Sequence, residues 1–419
     1  MRVFDRSMAE NNIAALFAVF GLAALGGSVV TALLVMTAGW ALIYLLIGRL
    51  PLRRDPQLLI FSAVLLLYIG TNALFFLLHF GKNFDSQLAE FRKFAPQLLF
   101  LAPIFLLQRL AVSRREDLLL TLSRAAAIGA LLVLPLALYE SFVLHTRAEG
   151  GGGNAIPFAL ICALLSMLSL PCLLDADRRW RLVGALGFVA GYLCVFLSQT
   201  KGLMPAPLVA ALVFGVFLLS KRASRAECLG AVGVVFAVAL IGFYVSGSDS
   251  RFDEVSDLVS GSKEVVWSAS YTVRLDLWTK AFDLIQSGLL NGHGLQNRRA
   301  LITAAGYSYS HFHNGFLTAL VDNGILGLVV LVTLLVSPFV IALRAPRDAL
   351  YGPRLFIAFC LVQTYAIGGM TNFIFGHDIY DAVFLWIATV IVASTLGSNK
   401  SVVSVDATGD RQRKVGIEG

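Results

Sequence analysis

Apolar runs long enough to coil across a bilayer recur from one end of this chain to the other, and few architectures can accommodate them. A helical run of about twenty apolar residues matches the thickness of the hydrocarbon core. The 419 residues are 58% hydrophobic and only 14% charged, whereas a soluble domain is about 25% charged. The expected fold class is an all-α polytopic membrane protein. Twelve spans are predicted: 12–26, 28–48, 58–80, 95–111, 118–141, 155–174, 182–199, 203–220, 228–246, 313–337, 355–375 and 379–397. The first run continues directly into the second with no small-residue cleavage pattern, so it reads as an anchor rather than a removed signal. The expected organisation is therefore 1–246 as nine spans, 247–312 as one large external loop, 313–397 as three further spans and 398–419 as a tail.

An even number of spans puts both termini on one side, and the basic residues decide which. Arginine and lysine collect in the tails and in alternate loops, around Arg53–Arg54, Arg114–Arg115, Arg178–Arg181, Lys221–Arg225 and Arg344–Arg354. By the positive-inside rule these are cytoplasmic, and 247–312 is external. The formal charge of +7 then reflects topology, and nucleic acid is not an expected partner. All five cysteines lie in spans, so disulfides are not expected. No CxxC, HExxH, Walker A or strand–GxGxxG–helix pattern occurs, and Gly150–Gly153 reads as an external turn before a helix.

The insertion 247–312 has three parts. Residues 247–264 are acidic and rich in Ser and Gly. Residues 271–287 read as an amphipathic helix ending at Gly288, and Asn291-Gly292-His293-Gly294 as a tight turn. Leu277, Trp278, Leu284 and Ile285 would seat the helix on the membrane surface, with Arg274 beside the headgroups in its first turn.

All six histidines fall in predicted external loops or at the outer ends of spans. His313 is the strongest candidate for chemistry, because it opens a span where the helix N-terminal field favours the neutral, basic ring. Leu317, Leu320, Gly324 and Gly327 follow on its face, where small residues would admit a neighbouring helix. His311 and His313 are two apart and face opposite ways on a helix, with no third ligand at suggestive spacing, so no metal site is expected. Lys201 interrupts two apolar runs within Ser198-Gln199-Thr200-Lys201-Gly202, and reads either as functional or as a snorkelling lysine. Arg124 and Glu140 share one span and await partners on other helices.

Taken together, the Ser-x-Thr-Lys-Gly turn, the Arg274–Trp278 helix, the Asn-Gly-x-Gly turn and His313-Asn314 followed by Gly324-x-x-Gly327 form a recognisable order. The chain resembles the O-antigen ligase and polymerase superfamily over roughly residues 190–380. Lys201 departs from the arginine usual there, keeping the charge without the bidentate geometry. The resemblance implies a glycosyltransferase of GT-C-like architecture in the bacterial inner membrane, with its active site at the periplasmic face. Its donor would be a glycan on undecaprenyl pyrophosphate and its acceptor a hydroxyl of lipid A–core.

In that chemistry His313 would be the base, and Arg274 and Lys201 would stabilise the pyrophosphate leaving group, with Arg298 and Arg299 near by. Asn314 would orient the substrate or the ring, and Trp278 and His311 would line the substrate site. The scattered acids of 247–312 contain no Asp-x-Asp pair, so the expectation is metal-independent, inverting transfer with no cofactor. Within the family a repeat-unit polymerase or a protein O-oligosaccharyltransferase would share these elements. From another class, a transporter would carry ionisable groups near the midplane and two related halves.

Overall fold

A computed structural model describes residues 7–81, 87–216, 233 and 269–396. Among them every regular element is a helix. In chain order these are α1 (Met8–Leu22), α2 (Val29–Leu46), α3 (Pro56–His79), α4 (Gln87–Phe94), α5 (Ala102–Leu110), α6 (Arg115–Phe142) and α7 (Ala155–Ser169). They continue as α8 (Arg178–Leu197), α9 (Pro205–Phe214), α10 (Ala269–Gly288), α11 (Arg298–Ala304), α12 (Gly315–Arg344), α13 (Tyr351–Thr371) and α14 (Asp378–Ala393).

Seven of the described helical stretches are long and apolar enough to cross a membrane: α2, α3, α6, α7 with its 3-10 extension to Leu174, α8, α12 and α13. The other expected spans depart from that pattern. The first is a helix of 15 residues. The expected span 95–111 is a 3-10 segment, Ala95–Leu101, followed by α5, and each piece opens with a proline in its first turn. The last is 16 residues long. The expected span 228–246 except for residue 233, the acidic stretch 247–264, and the tail 398–419 lie outside the described residues.

Two helices are apolar over nearly their whole circumference and are accordingly enclosed by others. Every residue of α14 from Ile379 to Ala393 is buried, and Trp386, Tyr380 and Phe384 are among its large enclosed side chains. In α7 burial runs unbroken from Pro157 to Ser169. Around this core the connections segregate by end, as the alternation of basic loops requires. At one end Arg53 donates to the Ala111 carbonyl at 2.7 Å, Arg115 meets Asp348 at 3.1 Å, and Arg124 meets Asp175 at 2.7 Å while lying over Trp180. At the other, Ser28 donates to Asp378 at 2.5 Å and Ala148 to the Leu197 carbonyl at 3.1 Å. All six histidines sit at or beyond helix ends on this second side.

Arg124 and Glu140, whose partners the sequence does not name, are both satisfied locally. Glu140 accepts from the Glu149 and Gly150 amides at 2.9 and 3.0 Å. The Gly150–Gly152 turn is packed against the end of α1, where Gly151 donates to the Ala24 carbonyl at 3.1 Å.

One helix is interrupted, and the interruption positions everything at the second end. α12 leaves helical geometry at Asn323 and at Gly324, whose φ is +61° and ψ −161°. That region is open only to glycine. A helix break at membrane depth exposes backbone groups that need partners from the protein itself. The Asn291–Gly294 turn supplies them: His293 donates to the Val321 carbonyl, Gly294 to the Asp322 carbonyl and Ile325 to the Leu289 carbonyl, all at 2.8 Å. The turn fits because Gly292 has φ +58°, and a Cβ there would lie 2.3 Å from the Asp322 oxygen. Gly324 and Gly327 therefore build a break and its docking site, in place of the smooth face for a neighbouring helix expected from their spacing.

The geometry predicts that Gly324→Ala lowers the thermal midpoint of the purified protein. The backbone strain alone is about 1–3 kcal/mol, and the added Cβ would lie 2.5 Å from the Leu289 oxygen. Gly39→Ala in α2, where nothing lies within 4 Å, is the control and should be near neutral. Equal midpoints for the two variants would remove the strained break from the account.

Candidate active site

Immediately before α12 the chain makes a compact polar knot. Asn314 is the N-cap: its side-chain oxygen accepts from the Phe316 and Leu317 amides at 3.0 and 3.1 Å. His313 thus precedes the helix rather than opening it, in a left-handed conformation with φ 51°. Non-glycine residues held there are uncommon, and such strain collects at functional sites. Among the described residues only His145 and Gln199 share it, and Gln199 belongs to the Ser-Gln-Thr-Lys turn singled out in the sequence.

His311 and His313 lie on the same side of this knot, with ring centroids 4.5 Å apart. Both nitrogens of His311 are engaged. Its Nε2–H donates to the Asn372 side-chain oxygen at 2.6 Å, and its Nδ1 accepts from the Ser310 hydroxyl at 3.2 Å. This fixes the neutral tautomer. His313 differs: Tyr309 packs edge-on against its ring at 4.9 Å, and its buried Nδ1 has no hydrogen-bond partner. Burial lowers the His313 pKa to about 4, with the Arg274 guanidinium adding to the effect. Burial likewise lowers His311 to about 3, reinforced by His313, Arg298 and Arg274. Desolvation and Arg274 thus hold the rings neutral, where the helix-end field was the expected cause.

Arg274 reaches the histidines because α10 packs on α12. Leu277, Ala281 and Ile285 of α10 are buried with Ile302, Phe312, Leu317 and Val321, and Trp278 and Leu284 pack against this cluster. These apolar residues face protein, so the face expected to seat the helix on a membrane surface is already covered. The helix begins at Ala269, which moves Arg274 from the first turn into the second. Trp278 carries a buried indole Nε1–H with no hydrogen-bond partner.

The other expected phosphate ligands are placed differently. Arg298 forms a two-pronged ion pair with Asp322, Nε lying 3.0 and 3.1 Å from the two carboxylate oxygens and Nη2 meeting one of them. Burial opposes its charge, but Asp322 outweighs that and holds the guanidinium firmly protonated. Its charge is spent on the helix break. Arg299 is exposed on the outer side of α11. Lys201 opens the 3-10 turn Lys201–Leu203, and Gly202 of that turn comes against Thr371, where a Cβ would lie 2.9 Å from the Thr371 Oγ1. The next residue, Asn372, is the His311 partner, so the two regions meet at one junction. Arg147 braces the same turn through the Ser198 carbonyl at 2.9 Å and the Thr200 hydroxyl at 3.2 Å.

Asn372 and Asp322 escape sequence reasoning. Asn372 is only 2% exposed and sits between two apolar spans, where a single amide carries no pattern. Asp322 is an acid within an apolar run, and it could have been noticed on that ground. Among the described residues no cluster of three His, Cys, Asp or Glu side chains could hold a metal ion.

Low histidine pKa values make a prediction about acid stability. Between pH 6.5 and about 4 the unfolded chain binds protons that folded His313 refuses, and His311 extends the window to about 3. Stability contributed by the neutral rings is therefore present above pH 6.5 and falls as pH drops through that window. Thermal midpoints measured from pH 7.5 to 4.5 should decline less steeply for His311→Gln and His313→Gln than for the unaltered protein. Parallel slopes would contradict the buried, neutral assignment.

The family model described as O-antigen ligase matches residues 186–332, a stretch that contains Lys201, Arg274, the Asn291–Gly294 turn, His313-Asn314 and the helix break. No curated protein matches the chain. Over that segment the chain is similar to the O-antigen ligase family.

Proposed function

We propose that this protein is an O-antigen ligase, moving a glycan from undecaprenyl pyrophosphate to a sugar hydroxyl of lipid A–core at the periplasmic face of a bacterial inner membrane. One observation carries the reading: a strained, neutral His313 with an unpartnered Nδ1, held within the field of Arg274 at the end of the bundle where the family's elements converge.

The chemistry is a single displacement. The bond from the anomeric carbon to the pyrophosphate oxygen breaks, and its electron pair leaves with the diphosphate. A bond from the acceptor oxygen to that carbon forms on the opposite face, and the hydroxyl proton passes to His313. Arg274 and Lys201 offset the charge growing on the leaving group. Arg274 also couples the two halves. While the site is empty its charge helps to depress the His313 pKa; a bound diphosphate would neutralise that charge and let His313 become a stronger base. Donor binding would thus prepare the base for the acceptor. His311, locked by Asn372 and Ser310, packs against His313 and keeps a second positive charge from forming beside it.

Arg298, paired with Asp322, supports the site by holding the turn against the helix break. Arg299, Trp278 and Asn314 remain proposed contributors to the substrate walls, Asn314 chiefly through its hold on the backbone below His313.

Purified protein incubated with lipid-linked glycan and separately purified lipid A–core should yield the joined product. His313→Ala should lower that rate by about 10²–10⁴-fold, the usual worth of a positioned general base; an unchanged rate would remove His313 from the chemistry. Glycan lengthening in the absence of lipid A–core would identify a repeat-unit polymerase instead. Activity should persist in chelator, and the new linkage should have inverted anomeric configuration. Loss in chelator would end the metal-independent reading, and retained configuration the single displacement.

A further inference from the structure

At the end of the bundle opposite the histidines, a cleft of about 680 Å³ opens between the start of α6, the 3-10 segment after α7 and the α12–α13 connection. It takes no part in the chemistry above. Its walls are apolar, with Leu119, Leu120, Leu174 and Ile357 among them. One polar group stands inside: Ser123 lines the cleft, is 1% exposed, and its hydroxyl has no hydrogen-bond partner. A hydroxyl so enclosed is costly unless something meets it.

The rim decides the charge of the occupant. Its three carboxylates each lie beside arginine: Glu116 shares Arg114 with the neighbouring Asp117, both at 4.0 Å, Asp175 meets Arg124 at 2.7 Å, and Asp348 meets Arg115 at 3.1 Å and Arg354 at 3.3 Å. Arg347, on the rim and exposed, has no acidic partner among the described residues. Five arginines against four acids leave the mouth positive by one charge, and Arg347 is the exposed cation on the lining itself. The volume suits a ligand of moderate size, larger than a water or an ion. An apolar interior behind a basic mouth, at the arginine-rich end of a membrane-spanning bundle, matches one chemistry: an anionic phospholipid of the surrounding leaflet.

We infer that this cleft is a structural lipid site, in which the phosphate of an anionic phospholipid lies at Arg347 and its glycerol and upper acyl chain occupy the space beside Leu120 and Ser123. The lipid bridges α6, α7 and the α12–α13 connection, and so ties the half of the bundle containing α6 to the helix that carries the active site at its far end. This holds whichever glycan the active site transfers.

The test uses the full chain, purified in neutral detergent and delipidated. Phosphatidylglycerol titrated into it should raise the thermal midpoint and appear as bound adducts by native mass spectrometry, while phosphatidylcholine should do so much more weakly. Arg347→Ala should weaken phosphatidylglycerol binding about fivefold, the usual worth of one interfacial arginine. Leu120→Trp should fill the cleft and abolish binding; its lipid-free midpoint reports whether it folds, and Arg347→Glu, a surface change, tests the same site without repacking. Glycerol phosphate, which lacks acyl chains, should not bind. Equal binding of the two lipids, binding unaffected in Leu120→Trp and Arg347→Glu, or binding of glycerol phosphate equal to that of the lipid would each overturn the proposal.

Discussion

The candidate site depends on a helix that stops being a helix. At Asn323 and Gly324 the ladder of α12 is broken, and the bilayer offers no water to satisfy the groups released. The Asn291–Gly294 turn, inserted from the preceding connection, donates its His293 and Gly294 amides to the Val321 and Asp322 carbonyls, and the Leu289 carbonyl just before it accepts from Ile325. Arg298 then clamps the arrangement from the side through Asp322. A buried pair of this kind adds little net stability, but removing one partner is severe because the other charge is left uncompensated. The turn, the break and the ion pair thus stand or fall together.

From that junction follows the position of the reactive groups. The half of α12 before the break is short and is held on one side by α10, whose buried Leu277, Ala281 and Ile285 meet Leu317 and Val321. Packing of these apolar residues places Arg274 near the two histidines, although some forty positions separate them in the chain. The N-cap of Asn314 fixes the first turn, and the left-handed His313 before it aims its ring toward His311 and Tyr309. An arginine and a desolvated imidazole of opposite proton demand are thereby kept close without neutralising one another. Such an arrangement is preorganised for a substrate that brings negative charge to the first and a proton to the second.

Polar groups elsewhere in the bundle follow the same economy. Arg124 has Asp175 and the Trp180 face, Glu140 has two backbone amides, and the fully buried Arg354 has Asp348 and Ser394. These partners lie at the helix ends, so the ionisable residues of α6 serve the packing of one end or the other.

The helical membrane class was legible because it rests on local pattern, the length and recurrence of apolar runs, and the family likeness because it rests on the spacing of a few motifs. Helix starts lay within two residues of expectation at Pro56 and Gly315, where a proline and the Asn314 N-cap set them, and departed further in the Ala95–Leu110 stretch, where prolines divide one apolar run. Three things were decided only by the tertiary structure. Gly324 and Gly327 read as a smooth helical face, and proved to be a break because a turn thirty residues earlier was available to satisfy it. Arg298 read as a ligand for phosphate, and its charge goes to Asp322. Asn372 had no signal at all, since an amide between two apolar spans gains its meaning from the imidazole 2.6 Å away. Sequence by itself determines which residues must leave water and which can carry charge; which buried donor meets which acceptor depends on the packing of distant helices.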